Sequence, residues 1–481
     1  MKTKFALPLV AASTVLLAGC FDGDDDPAKT SVRVVHASSD APAVNVRVNN
    51  QTVVSGADYK QAAVLTPNAG TASIAVDGIL PGGETATVID ADASLRFDTK
   101  YDVIAVGKVG DQTIAPLILA DDGERESADS VRLRVAHLSP DAQEAAGGPV
   151  DVYVTAAGAE LPAEATFSFA FQESVGPLEV PAGEYQIRVT PADSSIVVYD
   201  SGSVALPAGA DLLVGAIDNT VYGESPITLL VINGSETSEI LSAETGADLR
   251  AVHSVSDIGF GRTNTAVDVY LNSDPGTGTP LTFSFGDTLP DIAFTGNYLL
   301  GAPGGAVGDY DLTVTASGDT AAAIEATLTL AAGDLRTVVA AGSADAGFEA
   351  LVFSDDNRRI ATAAKLRLIH GAVEAATVDV YLVPTAEGGA DATMIGNLAG
   401  SPTVPGFEYG ASTGYVQVAD GNYVAFITEA GNPANVLYKS PDLELSAGGI
   451  YTAVARRALS GSDPVAGVTL MDDFIPEPQP Q

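Results

Sequence analysis

The chain of 481 residues has a single cysteine and no tryptophan. One cysteine, Cys20, excludes intramolecular disulfides, so each domain must rely on its own apolar core. It also removes the thiolate clusters that hold zinc, and four widely separated histidines supply no local set of transition-metal ligands. The absence of tryptophan, with 15 Tyr and 15 Phe, argues against broad aromatic platforms for sugars or bases. Basic residues are scarce as well. Lys and Arg total 23 against 62 Asp and Glu, a net charge of −39. Such a field repels nucleic acid and anionic headgroups and favours cations and basic partners. An acidic, lysine-poor shell also suits a saline habitat, where salt screens its self-repulsion. The charge is no mark of disorder, because 46% of the residues are hydrophobic and recur in strand-like runs.

What is present begins at the amino terminus. Lys2 and Lys4 precede an apolar run from Phe5 to Leu17. About thirteen residues at a helical rise of about 1.5 Å cannot cross a hydrocarbon core of about 30 Å, which points to a signal peptide. The run ends in Leu17-Ala18-Gly19-Cys20, which resembles a bacterial lipobox. That resemblance implies cleavage before Cys20, diacylglycerol on its thiol, and membrane attachment through acyl chains. Phe21 is not an aspartate of the inner-membrane retention type, which by the same resemblance favours the outer membrane.

The four histidines mark an internal repeat. His36, His137, His253 and His370 each lie three residues after an arginine: Arg33, Arg134, Arg250 and Arg367. An acid follows four residues later, at Asp40, Asp141, Asp257 and Glu374. Next comes a Val-Asn/Asp-Val strand, centred 9, 14, 15 and 9 residues past the histidine, so repeats two and three have a longer first loop. A Gly-led strand, a buried strand and a short apolar closing strand follow in the same order each time. Duplication is the natural cause.

Short, alternating, β-branched segments with turn residues at roughly ten-residue spacing predict an all-β protein of four tandem immunoglobulin-like β-sandwich repeats. The boundaries fall at a signal peptide 1–19, an acidic tether 20–30, repeats 31–122, 130–241, 247–357 and 363–474, and a disordered tail 475–481. A propeller is the rival, but its blades need only about 40–50 residues. Polar, acidic connectors suggest separate beads on a string. The segment from Val32 to Val44, and Arg134 to Asp141 with Val150 to Tyr153, are similar to the opening of a bacterial repeat known as the domain of unknown function number 4397. Repeats three and four depart from that pattern just after the histidine. The resemblance implies secreted or surface-attached sandwiches and carries no activity.

Three chemistries are worth weighing. His36-Ala37-Ser38-Ser39-Asp40 and His137-Leu138-Ser139-Pro140-Asp141 invite a triad, but repeat four has no Ser there and no Gly-x-Ser-x-Gly elbow occurs. Strand parity puts each histidine on the face of the apolar residues two and four positions earlier, and the arginine on the other face. A core histidine at a strand end, with the following acid serving the turn, is the expected role of the signature Arg33, His36, Arg134, His137, Arg250, His253, Arg367 and His370. Calcium is the one cofactor left open. Its candidate ligands are Asp40 with Asp121 and Asp122, and Asp257 with Asp355 and Asp356, if the first loop lies beside the end of the last strand.

The sequence therefore leads to a lipid-anchored outer-membrane protein, periplasmic or surface-facing, that binds or spaces without catalysis. The expected partners are the membrane, through Cys20, and an unidentified protein or glycan, with no nucleic acid. A structural cell-envelope protein and a hydrolase are the alternatives.

Overall fold

A computed structural model describes residues 28–255, 266–284, 307–375, 377–385, 401–456 and 467–474. Cys20, Asp257, the signal peptide and the tail lie outside these residues. The first repeat has eight strands: β1 Ser31–His36, β2 Val44–Val48, β3 Gln51–Ala57, β4 Ala62–Leu65, β5 Gly70–Ile79, β6 Thr85–Leu95, β7 Lys100–Val106 and β8 Ala115–Asp121. They form two four-stranded sheets, ordered β4-β1-β7-β8 and β3-β2-β5-β6. Alternation decides which side chains meet between the sheets. Val32, Val34 and Val103 from one sheet pack on Val46, Ile74 and Ile89 from the other.

β1 runs parallel to β7, and every other pairing in this repeat is antiparallel. The same parallel pair recurs in each repeat: Ser130–His137 with Asp211–Asp218, Asp248–His253 with Leu335–Ser343, and Ala364–His370 with Ile450–Arg456. All four repeats are thus all-β sandwiches on one plan. The alanine-rich stretch near 321–332 is a strand, Ala322–Leu330, as its period-two alternation requires.

The longer first loop of repeat two contains a helix, α1, Pro140–Ala146. Ser139 caps it by accepting from the Ala142 amide, and Pro140 sits in its first turn, where no amide hydrogen is needed. Gly147 ends it in the left-handed region, at φ 67°.

The repeats are not separate beads. The sheets holding the parallel pairs of repeats one and two pack face to face, through Val35, Ile104 and Val106 on one side and Leu213, Ile217 and Leu230 on the other. Repeats three and four join in the same way through Val252, Val339, Ala341, Ile369 and Val454. The reason lies in the strands. Tyr101 to Val106 and Asp211 to Asp218 are nearly apolar on both faces, so each such sheet has a second face to bury once its sandwich has closed. The two pairs touch through the connector after repeat three, where Arg358 Nη1 donates to Ala41 O at 2.9 Å and the Ala361 amide donates to Asp40 O at 2.8 Å.

Candidate functional site

The four Arg-x-x-His signatures end the first strand of each parallel pair, and each places its two side chains on opposite faces. The histidines face the sandwich interior. His36 Nε2 lies 3.1 Å from Pro42 O. The other three rings accept at Nδ1 from the amide two residues on: His137 from Ser139 at 3.4 Å, His253 from Val255 at 3.5 Å and His370 from Ala372 at 3.3 Å. Aromatic edges close over them, Tyr59 on His36, Phe171 on His137 and Tyr409 on His370. Burial depresses His36 and His137 to a pKa of about 4, so both are neutral at physiological pH.

The arginines face the other way, into the seam between paired repeats. Arg250 and Arg367 are 0% and 1% exposed, and both reach Asp355, at 3.3 and 2.8 Å. Thr337 donates to the same carboxylate, at 2.7 and 2.8 Å to its two oxygens. In the other pair Arg33 and Arg134 share Asp102, at 2.8 and 3.3 Å. Arg134 also donates to Ala120 O at 2.9 Å, as Arg367 does to Ser354 O at 3.0 Å. Each seam therefore has two guanidiniums around one carboxylate.

A second polar cluster lies at the loop end of the first seam. Asp218, almost fully buried, accepts from Ser39 at 2.6 Å and from Ser139 at 2.5 Å, and Lys108 Nζ lies 2.9 Å away. Lys108 also bonds Ser39 Oγ and Asp141, each at 2.8 Å. Burial opposes the charge of Lys108, but Asp218 and Asp141 beside it hold its pKa above the ordinary lysine value. The serines that suggested a triad are thus committed elsewhere: Ser139 to Asp218 and the α1 cap, Ser38 to Gly107 O at 2.7 Å.

The carboxylates considered for calcium do not converge. Asp40 accepts from the amides of Val109 and Gly110, at 2.8 and 2.9 Å, just beyond the end of β7. Asp121 pairs with Lys100 at the opposite end of β7, because β8 is antiparallel to it, and there Arg132 takes its carboxylate. Exposed Asp122 lies 3.4 Å from Arg96, Asp355 is enclosed in its seam, and Asp356 lies 2.7 Å from Lys365. Among the described residues no group of three or more His, Cys, Asp or Glu side chains is placed to hold a metal.

Sequence reasoning missed Asp102, Lys108 and Asp218. The signal was available for two of them: a lone carboxylate inside Tyr101-Asp102-Val103 and at the end of Gly215-Ala216-Ile217-Asp218 is a charge in a buried strand, which demands a partner. Lys108 lies in a loop, and nothing local marks it.

Paired β-sandwiches sewn together by buried arginines define the architectural class. The chain belongs to the family described as "Domain of unknown function (DUF4397)", which matches residues 30–146 and 247–381. No curated protein matches it. Among solved structures it is similar to a product complex of the multi-modular glycogen-degrading pneumococcal virulence factor SpuA, at 10% identity and a TM-score of 0.15. That match covers 61% of this chain, and the chain spans only 37% of that one. A candidate adhesin from Bacteroides ovatus matches at 9% identity and a TM-score of 0.12, over 45% of this chain and 97% of its own. A glucan-utilisation protein of the same organism, SGBP-B in complex with a mixed-linkage heptasaccharide, matches at 11% identity and a TM-score of 0.10, over 90% and 96%. Likenesses this slight carry no functional argument.

Proposed function

We propose that the chain is a lipid-anchored envelope protein that binds a partner at the cell surface or in the periplasm without catalysing a reaction. One observation supports the reading above the others. Every described copy of the repeated arginine and histidine is consumed by the architecture, the histidine in a core and the arginine in a seam. Duplication has multiplied a scaffold, and recognition falls to surfaces that differ between repeats.

Cys20 in its lipobox supports the anchor. Metabolic labelling with a fatty acid is expected to mark the wild-type chain and to leave Cys20→Ser unlabelled and released from membranes. Equal label on both would refute the anchor. Capture of a protein or glycan on an array by the chain from residue 28 onward tests the binding role. Turnover of a chromogenic ester or glycoside by the same preparation would overturn the non-catalytic reading.

A further inference from the structure

Repeat two differs from repeats one and three inside its core. Between its sheets lies a cavity of about 100 Å³, walled by Leu133, Val152, Phe169, Val214 and Leu229. The corresponding spaces in repeats one and three are about 30 and 20 Å³. The difference comes from α1. Its Ala142, Ala145 and Ala146 form one wall, and three methyl groups leave unfilled the room that larger side chains would take.

The histidine at the cavity's end also has one ring nitrogen left without a partner. In repeat one, His36 Nε2 meets the carbonyl of Pro42, in the short loop that follows it. In repeat two that stretch is coiled into α1. His137 accepts from Ser139 at Nδ1, which places its proton on Nε2, and Nε2 is buried without a partner. The other polar side chain in the wall, Tyr185, has its hydroxyl turned to Pro181 O at 2.8 Å. A buried water needs two to four polar partners, and this wall offers one, so water is a poor occupant.

We infer that the core of repeat two is a binding site for a small, neutral, mostly apolar molecule with one hydrogen-bond acceptor, such as a ketone, whose oxygen takes the Nε2–H of His137. Size and charge narrow the class. An apolar cavity of about 150 Å³ holds benzene, so this one suits about four or five heavy atoms, or the end of a longer chain leaving by the mouth. The net charge of −39 disfavours an anionic head. Ala145 of α1 both lines the cavity and is exposed, which puts an opening there. The loop after Pro191 lies at the same end, tied to it by the Ala192 amide donating to Pro149 O at 3.0 Å. That loop carries Ile196, 70% exposed, and Val197 beside it. An apolar lip at an apolar mouth is the arrangement expected where such a ligand enters.

This inference deepens the binding reading above and fails separately from it, since a chain that takes no ketone still has its surface partner to be captured. The test uses the chain from residue 20 onward with Cys20→Ser, carrying all four sandwiches, and ligand-detected NMR titration. The probes are butanone and 2-methylbut-1-ene, which has the same shape without the oxygen. Wild type is expected to bind both. Ala142→Leu fills the cavity and is expected to abolish both, with Ala146→Leu as a second filling change should the first not fold. His137→Leu is expected to keep the hydrocarbon and to lose about tenfold in ketone affinity. Absence of butanone binding to wild type, butanone binding that survives the filling change, or equal losses of both probes in His137→Leu would overturn it.

Discussion

Removing the carboxylate at the centre of the second seam should unfold two repeats together. Asp355, its side chain 0% exposed, is enclosed between Arg250 and Arg367, each 1% exposed, and Thr337 donates to it as well. Asp355→Ala leaves two guanidiniums facing each other out of reach of water. Breaking a buried pair by deleting one partner costs about 3–5 kcal/mol, and because Asp355 serves two arginines this site belongs at the upper end. For a cooperative unit of about 200 residues each kcal/mol lowers the melting temperature by about 2–4 °C, so a fall of roughly 10–20 °C is expected. Calorimetry of the full chain should show the transition of repeats three and four moving as one, with that of repeats one and two less affected. The control replaces all three charges, Arg250→Met, Asp355→Leu and Arg367→Met. Apolar replacement of a whole buried ion triad is often neutral or stabilising. A melting temperature unchanged in Asp355→Ala would refute the view that this triad joins the repeats.

Other predictions follow from the first seam and the cores. Lys108→Met leaves Asp218 buried with hydroxyl donors and no cation, and should cost about 3 kcal/mol, read from the urea midpoint of repeats one and two. His36 has a folded pKa of about 4, below its ordinary value, so the unfolded chain takes up the proton first as pH falls. Stability is full above about pH 6.5, is lost progressively toward pH 4, and should be lower by roughly 2 kcal/mol per ring at pH 5. His36→Phe should flatten that slope in melting curves taken from pH 7 to 5; an identical slope would refute the burial argument. His253→Ala should cost roughly 1–3 kcal/mol, and repeat four should lose stability with repeat three because their seam is shared.

The sandwiches were legible because their evidence is local. Val32 and Val34 alternate with Arg33, so period two alone places the histidine inward and the arginine outward. Pairing of the repeats was not legible from alternation. Its trace was the unbroken apolar run in strands such as Leu212-Leu213-Val214, which fits a strand buried on both faces but does not say what covers the second face. Parity likewise places the arginine on the outer face without saying what meets it there, since a surface charge and a seam charge look the same in sequence. The acidic connectors misled for a related reason. Asp121, Asp355 and Asp356 look like solvated linker residues, yet Arg132, Arg250, Arg367 and Lys365 draw them into contact. Arg132, Arg367 and Lys365 come from the following repeat, and spacing within one repeat cannot reveal them.

The two seams show which part of the signature is constrained. In the first, the countercharge is Asp102, directly opposite Arg33 in the parallel ladder. In the second, Thr337 and Thr452 occupy that ladder position opposite Arg250 and Arg367, and the carboxylate comes from Asp355, after the closing strand. The position equivalent to Asp355 in the first pair is Asp121, which binds Arg132 instead. The countercharge has changed strand while both arginines stayed, and each second-repeat arginine still reaches the carbonyl before that aspartate, Ala120 or Ser354. A buried guanidinium with several donors tolerates a carboxylate arriving from either direction, provided one arrives. The family match follows the same logic. It does not stop at a sandwich boundary but continues to residue 146 in the first pair and 381 in the second, past the arginine of the next repeat. One sandwich plus the signature strand of its neighbour holds both arginines of a seam, which makes the seam, more than the isolated sandwich, the unit that the repeated residues maintain.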